Sequence, residues 1–102
     1  MPLRLSTQAQ NTIHQAVVKR FGDQAQVRVF GSRLDDAAKG GDIDLHVLIQ
    51  GEVSNPMWEA SMLSAQLQRQ LDGRKVDVRL LDKNQITLPV DTVALSEGVL
   101  LK

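Results

Sequence analysis

The spacing of hydrophobic positions changes along the chain, and these changes predict its helices and strands. Between a capping residue at Ser6 or Thr7 and a helix-ending Gly22, apolar residues recur at helical spacing. Over residues 25–30, 42–49 and 75–81 the apolar residues alternate with mostly polar ones, which is the period of a strand. The sequence therefore predicts one amphipathic helix and three half-buried strands in these segments.

A second helix is predicted between the second and third strands, because Pro56 suits the first helical position and a leucine stripe runs on towards Gly73. Pro89 predicts a short third helix that stops near Gly98, followed by an extended segment. Strands buried on both faces would be apolar almost throughout, whereas each strand here is polar on one side. We therefore expect an α/β (α+β) fold with the helices mainly on one face of the sheet and a more open second face.

Composition limits the classes of function. A chain of 102 residues predicts one domain, residues 1–102. Twelve basic and twelve acidic residues give a formal net charge of zero, which argues against direct binding of nucleic acid or of an anionic membrane. The chain has no cysteine and no apolar run near the roughly 20 residues that span a bilayer, so we predict a cytoplasmic protein.

Three aspartates lie on the polar sides of the predicted strands. Asp42 and Asp44 point to the same side of the second strand, and Asp77 has the same kind of position in the third. Two carboxylates about 4 Å apart repel by roughly 4 kcal/mol at an effective dielectric constant of about 20. A protonated pair or a basic neighbour would relieve this repulsion, but a divalent cation does so most directly. Without a histidine or cysteine cluster, the acids predict Mg²⁺ or Mn²⁺ if the two strands are neighbours.

The loop before the second strand has features that suit a phosphate. Gly31 allows backbone N–H groups to approach an anion, Ser32 adds a hydroxyl donor, and Arg33 could reach the same anion. A phosphate beside a divalent cation predicts phosphoryl or nucleotidyl transfer. Taken singly, a Gly-Ser pair is usually a turn and an aspartate on a strand is usually solvated, so the argument depends on the combination.

Other side chains carry weaker signals. His46 and Arg79 share the polar face with the acids, but a lone histidine is more often structural and a lone arginine is more often solvated. Trp58 and Met62 lie beside the leucine stripe of the second predicted helix, which favours a core position; if they are exposed, they would form a surface for a partner.

The combined pattern resembles a known family. Gly31-Ser32, nine further residues, Asp42-Ile43-Asp44 and the later Val76-Asp77-Val78 resemble the GS-x9-DxD and third-acid pattern of the DNA polymerase β-type nucleotidyltransferase superfamily. The short length, the arginine after Gly-Ser and the segment EGVLLK resemble the minimal nucleotidyltransferases (MNT) in particular. These are the small partners of HEPN-domain proteins in prokaryotic toxin–antitoxin pairs.

The resemblance implies a polymerase β-like nucleotidyltransferase fold with a small mixed β-sheet, and it implies roles for the residues of the pattern. Gly31 and Ser32, with Arg33 beside them, would bind the triphosphate of ATP. The two metal ions and the catalysis would depend on the three acids, Asp42, Asp44 and Asp77. Asp35 and Asp36 depart from the expected pattern, because they add negative charge near the triphosphate.

Family members of this kind transfer AMP from ATP to a hydroxyl group, including a tyrosine of the HEPN toxin, and so silence it. The resemblance thus implies a Mg-dependent protein adenylyltransferase that acts as an antitoxin, as a homodimer or as a hetero-oligomer with its HEPN toxin. The alternative is a mainly non-catalytic antitoxin that docks on the HEPN protein. A third interpretation, a stand-alone transferase for a small molecule or an RNA end, needs an acceptor-binding domain for which 102 residues leave no room.

Overall fold

The computed structural model describes residues 5–31 and 43–101 of the chain. The first helix, α1, comprises Thr7–Phe21 and is capped by Ser6, whose hydroxyl accepts a hydrogen bond of 3.0 Å from the backbone N–H of Ala9. Gly22 ends it with φ 95°, a conformation that glycine adopts without strain from a side chain. The first predicted helix and both of its predicted ends are therefore confirmed.

Four strands form one mixed sheet. They are β1 (Gln26–Phe30), β2 (Ile43–Leu48), β3 (Val76–Leu81) and β4 (Val99–Leu101), in the order β3-β2-β1-β4. β1 pairs antiparallel with β2 and β4, whereas β2 and β3 are parallel neighbours. The extended segment predicted after Gly98 is thus a short strand, and the adjacency of β2 and β3 on which the predicted metal site depended is present.

Two helices bury the apolar face of the sheet. The second helix, α2, comprises Pro56–Gln70 with Asn55 as its N-cap, and it ends before the predicted Gly73 because Leu71 already has a non-helical conformation. Arg20 of α1 joins α2 through a salt bridge of 2.8 Å to Glu59. Fully buried side chains from both helices and three strands meet in one core, among them Ile13, Val17, Val27, Val29, Ile43, Leu45, Val47, Leu63 and Leu67.

The third helix, α3 (Pro89–Glu97), packs on the opposite face of the sheet. Its Asp91 hydrogen-bonds His46 of β2 and Arg79 of β3, two residues whose neighbours along the strands point into the core on the other side. The second face is thus less open than expected, since a helix covers part of it. The predicted fold class, a small mixed sheet with helices mainly on one face, is confirmed.

The expected core position of Trp58 and Met62 is wrong. Their exposed fractions are 54% and 40%, because the stripe of Leu63 and Leu67 turns α2 so that its other side faces solvent. In the described part of the chain, none of the helices is both long and apolar enough to cross a membrane.

Candidate functional site

Asp44 and Asp77 lie opposite each other on neighbouring strands. The parallel pairing of β2 and β3 sets Asp44 in register with Asp77, and both project from the face that α3 shares. Asp77 is exposed and Asp44 is half-buried. We call these two residues the acidic row. The structure therefore brings together two of the three predicted carboxylates.

Gly31 adjoins the acidic row. It follows β1 directly and has φ 74°, in the left-handed region that favours glycine. A Cβ atom added at this position would lie 2.6 Å from Oδ2 of Asp44, much closer than van der Waals contact allows. The absence of a side chain therefore lets the backbone at the start of the predicted phosphate-binding loop approach a carboxylate of the acidic row.

The other predicted site residues, Ser32, Arg33 and Asp42, lie outside the described residues, as do Asp35 and Asp36. Within residues 5–31 and 43–101, no group of three histidine, cysteine or acidic side chains is arranged to hold a metal ion. Asp44 and Asp77 supply two of the oxygen donors that Mg²⁺ prefers, and Asp42 is the third predicted donor. The donor chemistry of the acidic row therefore fits a hard divalent cation.

A second group of polar side chains lies two residues further along the same strands, on the same face of the sheet. His46 of β2 is in register with Arg79 of β3, and α3 places Asp91 over both. Arg79 donates two hydrogen bonds to Asp91, from Nε to Oδ1 at 2.9 Å and from Nη2 to Oδ2 at 2.8 Å. His46 Nε2 lies 2.8 Å from Oδ1, and the backbone N–H of Leu88 donates to Oδ2 at 2.8 Å. We call His46, Arg79 and Asp91 the buried cluster.

The charges of the buried cluster are fixed by these contacts. The two hydrogen bonds from Arg79 hold the pKa of Asp91 well below its usual range, although burial of the carboxyl opposes this effect. Asp91 correspondingly raises the pKa of Arg79. Burial lowers the pKa of His46 despite its bond to Asp91. The ionised Asp91 can only accept hydrogen bonds, so neutral His46 donates from Nε2, and its buried Nδ1 has no partner among the described residues.

Asp91 is the residue that sequence analysis missed. It is fully buried, as is His46, whereas the side chain of Arg79 is 27% exposed. The available signal was local, since an aspartate shortly after Pro89 suits the first turn of a helix. That signal predicts a helix cap and not an ion pair with a strand. The structural role favoured for His46 agrees with its position, whereas Arg79 is held in an ion pair instead of being solvated.

A groove runs between α2 and the outer edge of the sheet. Its volume is about 590 Å³, and Asp77 and Val78 of β3 form one wall, facing Met57, Ser61 and Ser64 of α2. Met57 is 83% exposed and Trp58 lies beside it in the sequence. A residue of the acidic row, Asp77, thus borders a groove that is also lined by the exposed Met57.

Comparisons with known proteins found no family model and no curated protein that matches the sequence. Solved structures do match. A crystal structure of the toxin–antitoxin MntA-HepT matches with a TM-score of 0.66 and 20% identity, over 95% of this chain and 72% of that chain. A mutant form of this pair matches with a TM-score of 0.66 and 20% identity, over 91% of this chain and 71% of that chain. A protein from Shewanella oneidensis matches with a TM-score of 0.61 and 18% identity, over 95% of this chain and 72% of that chain.

This chain has the polymerase β-like nucleotidyltransferase fold. The resemblance to the minimal nucleotidyltransferases is thereby confirmed at the level of the fold. Within this nucleotidyltransferase fold, the acidic row and Gly31 lie together at one level of the sheet, and the buried cluster lies at the next.

Proposed function

We propose that this protein is a nucleotidyltransferase that moves AMP from ATP to a hydroxyl group of a HEPN toxin, most simply a tyrosine, and so acts as its antitoxin. The observation that carries the proposal is the register of Asp44 with Asp77, with the backbone of Gly31 against Asp44. The fold supports it, because the similar structures include the toxin–antitoxin MntA-HepT.

The residues have separate roles in this proposal. Asp42, Asp44 and Asp77 would hold Mg²⁺, and the bound ion would supply neutralisation of phosphate charge and a lower pKa of the acceptor hydroxyl. Gly31, Ser32 and Arg33 bind the triphosphate and orient its α-phosphorus for in-line attack. The acceptor oxygen forms a bond to that phosphorus, the bond to the pyrophosphate oxygen breaks, and Asp77 takes the hydroxyl proton.

The exposed side of α2 supports a protein acceptor. Met57, Trp58 and Met62 expose 83%, 54% and 40% of their surface, and Met57 and Asp77 both line the groove beside α2. Large apolar side chains grouped on a surface are typical of a protein interface. A partner seated on α2 would have its own side chains close to the acidic row, so that the partner supplies both the acceptor and the specificity.

The test is a transfer assay with a HEPN protein that forms a stable complex with this chain. Both proteins are incubated with ATP labelled at the α-phosphate and with MgCl₂, and label on the HEPN protein is measured after denaturing electrophoresis. The proposal expects a labelled tyrosine, and no label with Asp42→Asn/Asp44→Asn. ATP labelled at the γ-phosphate is the control, because AMP transfer leaves that label in pyrophosphate.

The alternative is an antitoxin that binds the HEPN protein without turnover, and the exposed side of α2 is the observation that favours it. The same assay separates the two functions. A stable complex that neutralises the toxin but carries no label, and that forms equally well with Asp42→Asn/Asp44→Asn, would replace the enzyme proposal with this one.

A further inference from the structure

The acidic row and the cationic side chain of the buried cluster are close neighbours. Arg79 follows Asp77 on the same side of β3, and residues so placed are about 7 Å apart along a strand. Arg79 is also diagonal to Asp44 across the parallel strands, a separation of about 8 Å that a long side chain can bridge. A guanidinium on a flexible stem at this position is therefore within reach of the carboxylates that the proposed function gives to the metal ion.

Asp91 determines where that guanidinium lies. It binds Arg79 through two parallel hydrogen bonds of 2.9 and 2.8 Å, and the backbone N–H of Leu88 and the ring of His46 fix the carboxylate from other directions. A bidentate arginine–carboxylate pair fixes the orientation of both groups. Asp91 is also fully buried. Arg79 is thereby held towards α3, and its charge is compensated there.

We infer that Asp91 is a positioning residue that holds Arg79 away from Asp77 and so leaves the acidic row able to bind a divalent cation. Without Asp91, the guanidinium and the cation would compete for the same carboxylates. This role rests on the proposed function, since it assumes that the acidic row binds a metal ion, but it concerns residues to which the family resemblance gives no part.

The test measures cation affinity without nucleotide or turnover. The purified full chain is titrated with MnCl₂, and free Mn²⁺ is followed by its electron paramagnetic resonance signal. Asp91→Asn keeps the size of the side chain but removes the charge that holds Arg79. We expect the dissociation constant for Mn²⁺ to rise about tenfold, because the released guanidinium of Arg79 would compete with Mn²⁺ for the carboxylates of the acidic row. Adding Arg79→Gln should restore it to within about twofold of the wild-type value.

Arg28 provides the matched control. It is in register with His46 on the side opposite Arg79, so it is also diagonal to Asp44, and its guanidinium hydrogen-bonds Gln26 at 3.1 Å. Asp91→Asn/Arg28→Gln has the same net charge as Asp91→Asn/Arg79→Gln. If only net charge matters, both double variants will recover Mn²⁺ binding. If Asp91 positions Arg79, only the double variant Asp91→Asn/Arg79→Gln should recover Mn²⁺ binding.

Folding is checked by circular dichroism and thermal melting of every variant. If Asp91→Asn does not fold, Arg79→Lys takes its place, because it conserves charge but removes the two-point contact; the expected loss of Mn²⁺ affinity is then about threefold. Unchanged Mn²⁺ affinity in the folded variant, or equal recovery by the double variants with Arg79→Gln and with Arg28→Gln, overturns the positioning role while leaving the proposed function intact. A wild-type chain that binds no Mn²⁺ without nucleotide overturns the positioning role, whereas the labelled-ATP assay decides the proposed function.

Discussion

The acidic row and the buried cluster lie one step apart on the same face of the sheet, and they differ in what covers them. Asp77 is exposed, whereas Asp91 and His46 are fully buried under α3. The buried carboxylate has three hydrogen-bonding partners, namely Arg79, His46 and the backbone of Leu88. A buried charge needs such partners to be tolerated, whereas an exposed carboxylate stays accessible to a ligand. The first arrangement compensates a buried charge, and the second suits binding.

The largest expected effect comes from removing the charges of the acidic row. If the proposed function holds, Asp44→Asn/Asp77→Asn should lower AMP transfer to the HEPN protein by about 10³-fold, because loss of the proposed metal ligands would remove several kcal/mol of transition-state stabilisation. The free energy of unfolding should fall by about 1 kcal/mol or less, since Asp77 is exposed and asparagine keeps the size of both side chains. Label transfer and urea denaturation measure the two effects. A large loss of stability in this variant would contradict the assignment of the acidic row to ligand binding.

Breaking the buried cluster should lower stability by a larger amount. Arg79→Ala leaves the carboxylate of Asp91 buried without its strongest partner, and we expect the free energy of unfolding to fall by about 3 kcal/mol. Arg28→Ala, a change of the same size at the same level of the sheet, should cost about 1 kcal/mol or less. Urea denaturation of both variants checks the difference. Equal losses would mean that the ion pair with Asp91 contributes nothing specific.

Gly31→Ala tests the close approach between the backbone and the acidic row. The added Cβ would lie 2.6 Å from Oδ2 of Asp44, so the carboxylate must move and transfer should fall about tenfold. Gly73→Ala is the matched control, because Gly73 has a similar φ of 81° but has nothing within 4 Å of an added Cβ. Both variants should lose about 1 kcal/mol of stability from the positive φ. Equal transfer rates in the two would show that the position of Asp44 does not matter.

The smallest expected effect is a pH dependence of stability that originates in the buried cluster. Burial lowers the pKa of His46, so the unfolded chain takes up a proton first as pH falls below about 6.5, and stability decreases. The lowered pKa of Asp91 adds a further decrease below about pH 4, where the unfolded aspartate protonates. His46→Gln should abolish the decrease in stability near neutral pH and leave the decrease below about pH 4 unchanged. Urea titrations at a series of pH values measure both, and an unchanged profile in His46→Gln would contradict this assignment.

Much of the fold could be predicted from the sequence because helix and strand periods, caps and turns are local properties. Ser6, Gly22 and Pro56 mark helix ends where they were expected, and the alternating apolar residues of the three longer strands point into the core. Trp58 was assigned wrongly, since its position beside a leucine stripe does not reveal how the helix turns against the sheet.

The sequence by itself determined the elements, the core face and the identity of Asp44 and Asp77 as candidate ligands. Only the tertiary structure decided that β2 and β3 are parallel neighbours, which sets those two acids in register, and that Gly31 lies against Asp44. It also decided that Asp91 binds His46, 45 residues away in the chain. An exposed and a buried aspartate look alike in sequence, because burial depends on what packs over a residue. In this protein α3 is the element that carries Asp91 and packs over His46, and its position results from long-range packing and not from local preference.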